Sequence, residues 1–177
     1  MTDSGAEAQW LVLLDADWAD DTGGQPPAQA MVGGWPLRPD GTALPFQPNP
    51  DYRPASPGSA TDLVDAAART VVAGRAGGET VLWALRDSVQ WLAVDQDGVP
   101  VVDAAPDGVP CVLVTTSGVH RDRIAGPAWR EVTGAQLAGA LPAGTDVLIN
   151  LDGPAGMRLA GDVVRDALAG HAADQRM

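Results

Sequence analysis

The chain has 177 residues, enough for one domain with a real core. Its eleven basic residues are all Arg and face twenty-three Asp and Glu, for a net charge of −12. That balance argues against a polyanionic partner such as nucleic acid and leaves two meanings: solubility, or a basic protein partner. A single cysteine, Cys111, cannot form an internal disulfide, and no run approaches the ~20 apolar residues of a membrane span. The acidic start, Met1 to Glu7, lacks the basic n-region of a secretory signal, so the expected location is the cytoplasm.

In chain order, residues 1–9 read as a disordered tail and 10–170 as one folded domain, with 171–177, including His171, as a frayed tail. Trp10 to Leu14 is an apolar first strand that runs into Asp15-Ala16-Asp17-Trp18 and then Asp20-Asp21. An Asp-x-Asp after a strand resembles the haloacid-dehalogenase phosphatases, which implies a nucleophile at Asp15 and magnesium held with Asp17. Against it stand the missing phosphate-steadying Lys and the bulk of Trp18; the alternative is a solvated acidic loop. An EF-hand fails here for want of the central Gly and the closing Glu.

Ala30 to Leu37 can form a strand with Gly33-Gly34 inside it. Asp40-Gly41 is a turn, and Leu44-Pro45-Phe46 a returning edge strand. Residues 45–60 form a Pro-rich, extended connector. Its neighbourhood supplies Trp35, Phe46, Asp51 and Tyr52 as candidate partner-binding residues; docking of the aromatics onto the domain itself is the competing reading.

Ser59 to Asp62 begins a helix whose apolar face is Val64, Ala67, Ala68, Val71 and Val72. Gly74 to Gly78 break it, and a short helix starts at Thr80. Val89 to Val94, the turn at Asp97-Gly98 and Val99 to Val102 read as a hairpin. Cys111 to Thr115 and Asp146 to Asn150 are short β-branched runs of the kind buried on both faces. Between them Thr133 and Gln136 have capping-box spacing, with Val132 and Leu137 placed as a hydrophobic staple. Strand, helix, strand predicts a parallel pair. A final helix is expected from Pro154, with Met157, Ala160, Val164 and Leu168 on one face, Asp152 as its cap and Gly170 as its stop; the alternative for the Asn150 to Pro154 loop is a ligand site at a strand's carboxyl end. The fold class is therefore α/β (α+β), a single domain with a mixed sheet and a parallel βαβ unit in its C-terminal half.

The succession from Asp87 through Gly108 to Thr116, Trp129 to Leu137 and Val147 to Asn150 resembles the SseB N-terminal domain, departing from it at Asn150-Leu151. Upstream, Val32 to Trp35, Phe46 to Tyr52 and Thr61 to Ala66 resemble the type VII secretion system-associated proteins of actinobacteria. Together the likeness spans residues 30–168. It implies a cytosolic accessory domain that binds a secretion component or substrate, and it supplies no catalytic residue.

Chemistry is sparse. There is no Lys for a P-loop. Ser117, His120 and Asp122 lie close in sequence but lack a nucleophile elbow. His120, His171 and Cys111 have no metal-ligand spacing. No cofactor, metal or catalytic residue is expected, and the expected activity is non-enzymatic. An acidic immunity-type protein that blocks a basic toxin is the alternative.

Overall fold

A computed structural model describes residues 9–18 and 24–169. Both expected tails, Asp20-Asp21 and the Gly170 stop lie outside those residues, apart from Gln9. The span read as one domain contains two compact units, Met1–Leu63 and Val64–Met177.

The first unit is a three-stranded antiparallel sheet in the order β1-β2-β3: β1 (Trp10–Leu14), β2 (Met31–Pro36) and β3 (Gln47–Pro48). The returning strand forms at Gln47–Pro48, just beyond the expected Leu44 to Phe46. Phe46 instead turns its ring onto Trp35, edge to face at 4.9 Å, a geometry worth about 0.5–1.5 kcal/mol beyond burial. Gly33 makes this possible, because a Cβ there would run into the Phe46 ring.

The second unit carries a mixed sheet, as expected. Its path is β7-β4-β6-β8-β9, built from β4 (Val89–Val94), β6 (Pro110–Thr115), β7 (Ala128–Thr133), β8 (Asp146–Ile149) and β9 (Met157–Leu159), with β5 (Val102–Ala104) pairing β6 off that path. β6 and β8 are the predicted parallel pair, in register from Cys111↔Asp146 to Val114↔Ile149. The other pairings in this sheet are antiparallel. Helices α1 (Leu63–Val72), which begins where the first unit ends, α2 (Glu79–Arg86), α3 (Gly118–Arg121), α4 (Gly134–Ala140) and α5 (Gly161–Ala169) complete the fold.

The Thr133/Gln136 capping box is formed, with both reciprocal bonds in place, and Val132 and Leu137 are both buried. Three expectations are corrected. The Asp97-Gly98 turn closes only a bridge, Val94↔Pro100, because Pro100 has no N–H for a ladder; the strand proper begins at Val102 and pairs β6. The crossover read as strand, helix, strand also contains a further strand, β7, paired with β4 over six residues. The last helix starts at Gly161, not Pro154, and Met157 to Leu159 belong to a strand on β8.

Candidate functional site

Two regions hold the residues singled out by the sequence, one in each unit.

In the second unit, the C-terminal ends of the parallel strands β6 and β8 are where an open α/β sheet offers a ligand site. Thr116 follows β6 and Asn150 follows β8. Asn150 Nδ2 donates to Thr116 Oγ1 at 2.8 Å, and Thr116 N–H donates back to Asn150 Oδ1 at 3.0 Å. Asn150 holds φ 49°, a left-handed conformation that Asn tolerates better than most residues. Sequence reasoning missed Asp65. Placed on the apolar face of α1, it is wholly buried, accepts from Arg69 Nε at 2.9 Å through Oδ2, and stands 3.7 Å from His120 Nε2 through Oδ1. Its one sequence signal was Arg69 four residues on, which reads equally well as a surface pair.

The His120 imidazole is also buried. Among the described residues neither ring nitrogen has a hydrogen-bond partner, so no hydroxyl is activated by it. Asp122, the carboxylate nearest in sequence, is exposed and faces Arg121 instead. Gly153 packs against the imidazole so closely that a Cβ there would come within 2.9 Å of the ring and 2.8 Å of the Asn150 carbonyl. A hollow of about 260 Å³ lies beside them, lined by Leu148, Ile149, Asp152, Gly153 and Arg158 among others, but His120, Asp65, Thr116 and Asn150 are not in its lining. Asp152 caps no helix; its carbonyl accepts from Arg123 at 3.2 Å. Burial, aided by Asp146, pushes the Cys111 thiol up, which keeps it protonated and inert.

In the first unit Asp15 is buried and fully engaged. Its Oδ1 accepts from Asp17 N–H at 3.0 Å, and its Oδ2 accepts from Tyr52 O–H at 3.1 Å and Ala55 N–H at 2.9 Å. Burial raises the Asp15 carboxyl, and the bonds from Ala55, Asp17, Ser59 and Tyr52 outweigh it, holding the group below the ordinary carboxylate range. Asp17 Oδ2 accepts from Ser56 and Ser59. The two acids thus tie the Pro-rich connector to the end of β1. Among the described residues no cluster of three or more metal-ligating side chains exists.

Of the candidate partner residues, Trp35 and Phe46 are buried against each other, Tyr52 is half-buried with its hydroxyl donating to Asp15 and to the Ala60 carbonyl, and Asp51 is exposed. What lies open is a surface the sequence reading passed over. Four of the residues of β1, Trp10, Leu11, Val12 and Leu14, are 38–56% exposed. Trp10 and Val12 border a groove of about 370 Å³ that runs past Met31 and Gly34 to Gln47 and Asn49. Among the described residues no ionisable side chain lines it.

No family model, curated protein or solved structure matches this chain. Among the described residues, no helix is long and apolar enough to cross a membrane.

Proposed function

We propose that this protein is a non-enzymatic accessory module that works by binding another protein through the uncharged groove of its first unit. The observation that carries the reading is the contrast between composition and surface. In a chain with 34 charged side chains, 11 basic and 23 acidic, none of the described ones lines a groove bordered by exposed Trp10 and Val12. Exposed apolar surface of this kind is costly to keep in water and marks sites of association. The saturated hydrogen bonding of Asp15 and the packed surroundings of His120 favour binding over catalysis.

The setting we propose is type VII secretion in the cytoplasm, carried by the resemblance over residues 30–168. The net charge of −12 supports the second reading, an immunity-type protein against a basic toxin. Affinity capture from the native host separates them. Wild type, Val12→Asp and a control in the second unit, Val163→Asp, are compared, with the captured protein identified by mass spectrometry. Loss of one partner in Val12→Asp alone supports groove binding, and equal capture by all three overturns it. A secretion component or its substrate as that partner supports the first setting; a toxin supports the second.

A further inference from the structure

The groove has a second feature that points to the form of its occupant, given the protein-binding reading above. Among the described residues β1 pairs with β2 alone, and the three-stranded sheet ends at β1. The Gln9 carbonyl accepts from Leu37 N–H at 2.8 Å and so points toward β2. In an antiparallel ladder successive residues turn their backbone groups to opposite sides. Leu11 therefore faces β2, and Trp10 and Val12 turn their N–H and C=O outward. A sheet edge in water is normally blunted by Lys, Pro, a charge or a bulge. Trp10-Leu11-Val12-Leu13-Leu14 has no Lys, Pro or charge, and its one register shift comes only at Leu13/Leu14.

We infer that β1 receives an added strand from another protein. The occupant is an extended segment of alternating apolar residues that continues the sheet, with its alternate side chains beside Trp10 and Val12 at the groove rim. Its strand portion is uncharged, matching a groove with no ionisable group among the described residues, and its flanks are basic, matching a chain of net charge −12. A second copy of this chain does not fit. Each copy would bring the same net charge of −12 to the contact.

The test is calorimetric titration of the full chain with a synthetic peptide of alternating valine and threonine carrying arginines at both ends. Binding with Kd below about 1 mM is expected. Two changes are each expected to weaken it at least about tenfold. The first is Val12→Pro, which removes an outward N–H while leaving the bonds to β2 intact. The second is N-methylation of alternate peptide amides, which leaves the protein unaltered and keeps the test valid should Val12→Pro unfold. Replacing the terminal arginines by glutamates weakens binding as well. Absence of binding by the arginine-flanked peptide, or binding insensitive to N-methylation, overturns the strand mode. So does sedimentation showing a dimer that Val12→Pro dissolves. If Val12→Asp still loses its host partner while the peptide ignores N-methylation, the binding face stands and only the added strand fails.

Discussion

The open β1 edge and the polar cluster beyond β6 and β8 invert each other. The polar cluster has the chemistry of a site, with a threonine and an asparagine at the carboxyl ends of parallel strands, a histidine on α3 and an aspartate on α1, yet all four are at most 6% exposed. β1 has no chemistry at all, but its side chains stand in solvent. Thr116 with Asn150 and Asp65 with Arg69 satisfy one another, a structural demand on buried polar groups, while among the described residues the His120 ring nitrogens make no hydrogen bond. Apolar residues left in water have no such explanation. The comparison teaches that in this molecule exposure, more than residue type, separates a working surface from a scaffold.

The comparison is broken most severely at Asp65. Asp65→Ala leaves Arg69 and His120 without their carboxylate and should lower unfolding free energy by about 3 kcal/mol in urea titrations. An unchanged midpoint would mean that the buried pair does not hold α1. Next comes Asn150→Ala, which removes the bonds to Thr116 and puts a less suitable residue at φ 49°; a loss of about 1–3 kcal/mol is expected by the same measurement.

Asp15→Asn should cost less, about 1–2 kcal/mol, because it weakens rather than deletes the anchor of the connector. It also carries a pH signature. The folded Asp15 pKa lies below its unfolded value, so its bonds stabilise the protein fully above the unfolded value. That contribution is lost as pH falls from the unfolded value through the folded one. Wild type should therefore lose an acid-range increment of stability that Asp15→Asn lacks, and parallel pH profiles would refute this. The smallest effect on stability is expected at Trp10→Ala and Val12→Thr, within about 0.5 kcal/mol of wild type, even as partner binding falls.

The fold was most legible where one signal ruled. Cys111 to Thr115 and Asp146 to Ile149 are short runs rich in apolar and β-branched residues, and Thr133/Gln136 is a local motif that needs no tertiary help. It was least legible where two elements share one spacing. Met157, Ala160, Val164 and Leu168 fit a single helix face, although a strand and a turn precede the helix at Gly161. β7 was hidden because Arg130 and Glu131 break the apolar alternation of a strand. At the sites, Asp65 was invisible because a carboxylate within an apolar stripe of α1 says nothing about the histidine it faces from fifty-five positions away. The strand at β1 was read correctly from its apolar run, but nothing in that run tells an edge from a core strand, and exposure was the missing fact.

The most direct test of the account is site-specific photo-crosslinking in the native host, with a photoreactive residue at Val12 in one variant and at Val119 of α3 in another. Both side chains are exposed, one on the open edge and the other beside the polar cluster. A single partner adduct from position 12 and none from position 119 is predicted. An adduct from position 119 without one from position 12 would contradict it.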